Sequence, residues 1–216
     1  MSDARNAIFQ AIRSANGPDK PASDIAAQAH ALLENVDALR PGFTAQNNLE
    51  RFVEKATSER VTATVSEVNA LTDVPGLVAD YLAQKALPAR IALQPRAALT
   101  DLDWSRIQTH HDPAPSEAVA VSMADLCVAE TGSVVFRSAE DAPVLLNFLP
   151  LHHLVVVQKD QVHRHLEDVF KVFGTDQAAQ PRNLSIVTGT SGTADIEAKN
   201  VRGAHGPRFM HLIIVG

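Results

Sequence analysis

The chain has 216 residues but a single cysteine, Cys127. One thiol cannot close an internal disulfide, hold an iron–sulfur cluster or build a cysteine-type zinc site. Cys127 lies in an apolar run, DLCVAE, and reads as a small buried hydrophobe rather than a nucleophile. The scarcity fits a reducing, cytoplasmic setting. Positive charge is also short: 19 Lys and Arg against 25 Asp and Glu leave a net charge of −6. With no basic stripe at helical spacing, there is no electrostatic reason to bind nucleic acid or an anionic membrane. Long apolar runs are missing as well. Those at Leu154–Val157 and Leu212–Val215 are far too short to cross a bilayer, so no membrane insertion is expected. The opening MSDARNAIFQ places Asp3 and Arg5 ahead of any apolar run, unlike a signal peptide. Neither a G-x-G-x-x-G fingerprint nor a P-loop nor an H-E-x-x-H pair is present, so no metal and no cofactor are assigned. Eight of the nine histidines follow residue 109, yet their spacing does not converge. The adjacent pairs His110-His111 and His152-His153 diverge and read as surface or turn residues.

What is present is an apolar fraction of 45%, enough for a full core at this length. Residues 4–15, 23–39 and 47–57 carry apolar side chains at three- and four-residue steps and predict three helices. At Val61, Ala63 and Val65 the period becomes two, which predicts a strand. A helix over 74–86 and a strand at Ile91–Leu93 follow, and that rhythm implies a parallel βαβ unit. A short strand is predicted around Leu102–Ile107, and short strands or helix edges at Val119–Val121 and Leu126–Ala129. Strands at Ser133–Phe136 and Leu154–Val157 come next. A helix over 161–173 would hold His163 and His165 on its outer face. The expectation is an α/β protein. Residues 1–57 would form an N-terminal helical segment packed on a main domain of residues 58–216.

The stretch Leu184–Gly216 concentrates the turn-forming and chemically useful residues. An apolar run breaks into Gly189-Thr190-Ser191-Gly192-Thr193, and a helix is predicted from about Ala194. Free amides at a helix start suit a carboxylate or phosphate, and Ser191 and Thr193 could add hydroxyls. The plainer reading is that either residue only caps the helix. Asp195 and Glu197 follow on different faces, and one could accept N–H groups at the helix start. Glu130 lies in VAETGSVVF, beside Thr131 and Gly132, between two apolar runs. A carboxylate there could be a base, a nucleophile or a hydrogen-bond anchor. His205-Gly206-Pro207 is a tight turn before the last strand and would set the imidazole at a strand edge. One site is expected to join Glu130 to Ser191, Thr193 and the His205 turn.

Four pieces in this order and spacing resemble the lactate-utilisation protein C family, within the LUD-domain group. They are AETGS at 129–133, the strand–helix unit at 154–173, GTSGTADIE at 189–197 and GAHGP at 203–207. Thr190 departs from the pattern, standing where proline is the more usual residue. The resemblance implies a three-layer α/β/α fold with a mostly parallel sheet, shared with sugar-phosphate isomerases and coenzyme A transferases. It implies a role in oxidising L-lactate to pyruvate alongside partner proteins that carry iron–sulfur centres. The lone cysteine fits the cluster-free component. The residues matched to a site are Glu130 as the catalytic candidate, with Thr131, Gly132, Gly189, Ser191, Gly192, Thr193, Asp195, Glu197, His205 and Gly206 around a small anionic ligand. Two other classes stay open: a stand-alone coenzyme A transferase or sugar-phosphate isomerase using Glu130, and a non-catalytic interaction subunit.

Overall fold

In β7 (His152–Gln158) and β12 (Phe209–Val215) successive side chains turn to opposite faces, and both faces are buried. Leu154, Val156, Ile213 and Val215 belong to one core cluster; Val155, Val157, Leu212 and Ile214 belong to another. A strand buried on both faces reads as a continuous apolar run, and its place is the middle of a parallel sheet. The computed structural model describes all residues except 1, 18, 19, 35–37, 39, 45, 46, 175–179 and 195–199. The other strands of the large sheet are β1 (Thr64–Val68), β2 (Arg90–Leu93), β3 (Gln108–His110) and β4 (Val119–Met123). All six are parallel, in the order β1-β12-β7-β4-β2-β3.

The two faces are covered differently. On one lies α4 (Val74–Gln84), with Pro75 in its first turn and Val74, Val78, Tyr81 and Leu82 turned inward. On the other lies α3 (Asn48–Ala56), which buries Phe52 and Ala56 and is capped by the Asn47 side chain accepting from the Glu50 amide at 2.8 Å. Beside α3 sits a second sheet built from β5 (Leu126–Val128), β6 (Ser133–Arg137), β8 (Val162–His163) and β9 (Leu184–Val187). Its order is β8-β5-β6-β9, with β5 and β8 parallel and the other two pairings antiparallel. Cys127, Val134 and Phe136 carry this sheet into the shared core.

The chain divides into two compact units, residues 1–42 and 43–216. The first holds α1 (Ser2–Asn16) and α2 (Ala22–Glu34); α3 belongs to the second. Among the described residues no helix is long and apolar enough to cross a membrane.

Several expectations change. The large sheet is wholly parallel, and the smaller mixed sheet was not anticipated. Leu102–Ile107 forms turns after the short α5 (Ala97–Thr100), and the strand comes next, as β3. The helix predicted over 161–173 starts only at Leu166, as α6 (Leu166–Phe173). Val162 matches the helical stripe in spacing, but its backbone pairs with Cys127 in the small sheet. His163 is therefore on a strand, and His165 precedes the helix with its amide donating to Asp168 at 3.0 Å. His152, His153, His165 and His211 are buried rather than on the surface. Three of them lie on β7 and β12, the central strands, where both faces are covered and a polar ring needs an internal partner.

Candidate functional site

The β5–β6 turn holds Glu130, Thr131 and Gly132. Antiparallel pairing of β6 with β9, Val134 opposite Val187, carries the start of the Gly189 loop to the same end of the small sheet. A hydroxyl chain ties the two turns: Thr131 Oγ1 lies 2.6 Å from Ser133 Oγ, which lies 2.6 Å from Thr188 Oγ1. Both glycines have positive φ and meet backbone where a Cβ would stand. For Gly132 the neighbour is the Ala56 amide at the end of α3; for Gly189 it is the Val61 carbonyl. These positions take glycine because the end of α3 presses on the first turn and the chain just after it on the second.

The Glu130 carboxylate points to the start of α6. Its Oε2 lies 3.2 Å from His165 Nδ1 and accepts from the Leu166 amide at 3.4 Å. A negative charge on the first amides of a helix is held by the helix dipole. The Glu130 amide donates to the Arg164 carbonyl at 3.1 Å, so the residue is fixed from both sides.

The Gly189–Thr193 loop runs into a strand at Gly192, and the helix expected from about Ala194 falls on residues outside those described, apart from Ala194 itself. Thr190 and Ser191 amides donate to the Val61 and Pro207 carbonyls at 3.1 and 2.9 Å, so both are used within the protein. Gly192, Thr193 and Ala194 form β10 (Gly192–Ala194), antiparallel to β11 (Asn200–Arg202). Asp195 and Glu197 lie outside the described residues. Ser191 does meet the last turn: its carbonyl accepts from the Gly203 amide at 3.0 Å, and a Cβ on Gly206 would stand 3.4 Å from Ser191 Oγ. His205 and Gly206 line a cavity of about 610 Å³ with Glu117, Phe148 and Leu151. That cavity sits at the amino ends of β4, β7 and β12, and neither Glu130 nor Ser191 lines it. The structure thus gathers Thr131, Gly132 and Gly189 at one place, and Ser191 with Gly206 at another. Glu130 turns toward α6.

A cluster of buried rings occupies the sheet itself. His152 Nδ1 lies 3.0 Å from the Tyr81 hydroxyl, and His211 Nδ1 lies 2.7 Å from Thr64 Oγ1. Burial, reinforced by the nearby Lys85 charge, lowers both imidazole pKa values, that of His211 to about 4. His153 Nε2 lies 2.6 Å from Ser122 Oγ, and burial alone lowers its pKa to about 4. These histidines are neutral at physiological pH. Among the described residues no group of three or more His, Cys, Asp or Glu could hold a metal ion.

A second cavity, of about 540 Å³, lies at the opposite ends of the strands. Arg96 follows β2, Asp125 follows β4, and Arg137 ends β6. The Asp125 side chain is 6% exposed and accepts from the Arg137 amide at 2.7 Å, from Arg96 Nη2 at 3.0 Å and from Arg137 Nη2 at 3.3 Å. Asp141 reaches Arg96 Nε at 3.5 Å. None of these four residues stood out in the sequence. They are spread over more than forty positions and carry no motif; Arg96 meets Asp125 because β2 and β4 are neighbours, and Arg137 meets it because β5 pairs with β6.

With this geometry in place, the matching stretch of chain is informative. Residues 114–215 match the LUD domain family. This stretch is similar to LUD domains. It contains Glu130, both Gly-bearing turns, Asp125, Arg137 and Asp141, while Arg96 precedes it. The lactate utilization protein C of Deinococcus radiodurans is 29% identical over 109 residues, half of each chain. That of Geobacillus thermodenitrificans is 26% identical over 179 residues, 76% of this chain and 72% of the relative. That of Geobacillus kaustophilus is 30% identical over 107 residues, 48% of this chain and 45% of the relative. The chain is thus a distant homologue of these proteins, and apart from the Geobacillus thermodenitrificans protein it spans about half their length. A crystal structure of a DUF162 family protein from Deinococcus radiodurans shares the fold at 19% identity. It covers 81% of this chain and 100% of that one, with a TM-score of 0.57.

Proposed function

We propose that this chain acts in lactate utilisation, as a cluster-free subunit working with iron–sulfur partner proteins to oxidise L-lactate to pyruvate. The observation that carries the reading is the 179-residue alignment with the Geobacillus thermodenitrificans lactate utilization protein C, which runs well beyond the LUD stretch. A single, buried Cys127 supports the division of labour, because electron transfer through clusters then falls to the partners. Burial pushes that thiol far above its ordinary range, which suits a packing role. The subunit's share is to hold a small anion, with Glu130 anchoring the start of α6. The α/β/α kinship with coenzyme A transferases belongs to the same proposal. The parallel sheet, covered by α4 on one face and by α3 with the small sheet on the other, supports it.

Deleting the gene for this chain tests the role. The deletion strain is expected to lose growth on L-lactate, keep growth on pyruvate, and regain lactate growth when the intact chain is supplied. Undiminished growth of the deletion strain on L-lactate would contradict the reading.

A further inference from the structure

Parallel sheets open a crevice where neighbouring strands send their connections in opposite directions, and ligands bind outside the carboxyl ends of those strands. In this sheet β2 leads outward to β3, while its neighbour β4 leads the other way to β7. Arg96 and Asp125 stand within three residues of the carboxyl ends of those two strands. We propose that the crevice between Arg96 and Arg137 binds a small oxyanion, a carboxylate or a phosphate, and that Asp141 competes for the same place.

The charges are arranged for this. The covered Asp125 carboxylate bridges both guanidinium groups, so it neutralises one of two positive charges and fixes the other's position. Arg137 is held again by lying over the Phe173 ring, 5.1 Å from its centroid. Among the described residues the second positive charge is met only by Asp141, whose side chain is 48% exposed and whose contact with Arg96 is 3.5 Å. A charge-assisted pair at full strength is shorter, about 2.7–2.9 Å, and an exposed pair is easily exchanged. The Asp141 carboxylate therefore marks where an incoming oxyanion docks. A guanidinium fork matches either carboxylate or phosphate geometry. The cavity of about 540 Å³ admits a small acid. This inference stands on geometry and not on the lactate reading, so growth and binding experiments can fail separately.

Isothermal titration of the full chain at low salt with L-lactate, pyruvate and inorganic phosphate tests it. Saturable binding of at least one is expected. Arg96→Gln and Arg137→Gln should each weaken it by about tenfold or more, the share of one charge-assisted contact. Asp141→Asn, which removes the competitor, should tighten it several-fold. Circular dichroism checks each fold, and Arg96→Lys, which keeps the charge but loses the fork, stands in if Arg96→Gln unfolds. Carboxylate binding points to hydroxy- or keto-acids. Phosphate binding alone still supports the crevice and points to phosphorylated ligands. No saturable binding to either the native chain or Asp141→Asn would overturn the proposal. So would affinity unchanged by both arginine substitutions.

Discussion

His153 shows what a single residue contributes when its ring is enclosed. It is fully buried on β7, stacked on Phe136 at 5.6 Å and paired with Ser122, and burial lowers its pKa from 6.5 to about 4. The unfolded chain therefore takes up the proton first as the pH falls. The stability due to the neutral ring is complete above about pH 6.5 and drains away down to about pH 4. For this one group the loss between pH 7.5 and pH 5 is about 2 kcal/mol. Urea unfolding at the two pH values should show the drop, and His153→Gln should reduce it by about 2 kcal/mol; an equal drop in both proteins would contradict this assignment. His211, lowered by burial and Lys85, acts with the same sign. None of this was legible in the sequence. HHLVVV looks like a turn running into a strand, and only the pairing of His152 and His153 with β4 and β12 shows that the strand has already begun.

At the scale of elements, local period served where a helix or strand packs one face or two. The stripes on α3 and α4 and the continuous apolar runs of β7 and β12 were legible for that reason. Period misleads where two elements share one stripe. Val162 and Leu166 sit at helical spacing, but β8 must pair with β5 before α6 can start. The joint between them is where Glu130 acts, reaching from another hairpin to the His165 ring and the Leu166 amide. As an anchor of α6, its replacement by alanine should cost about 1 kcal/mol, the usual worth of a helix-start acceptor. Thermal or urea unfolding of Glu130→Ala measures this. Unchanged stability would show that the carboxylate holds nothing, and would return Glu130 to a purely chemical role.

At the scale of the whole molecule, the motifs led to the right domain but not to a single cavity. AETGS and the glycine loops are legible because close backbone contact demands glycine, as at Gly132 against Ala56 and Gly189 against Val61. The two cavities were not legible. One collects Glu117, Leu151 and His205 at the amino ends of the strands, and the other collects Arg96, Asp125 and Arg137 at the carboxyl ends. Their residues are brought together by strand order, which no local spacing encodes. The proposed function puts this chain inside a lactate-oxidising assembly with cluster-bearing partners. Purifying the tagged chain from lactate-grown cells under anaerobic conditions tests it most directly. The eluate should contain iron and acid-labile sulfide and should reduce an artificial electron acceptor only when L-lactate is added. A chain that elutes alone, without iron and without lactate-dependent reduction, would contradict the account.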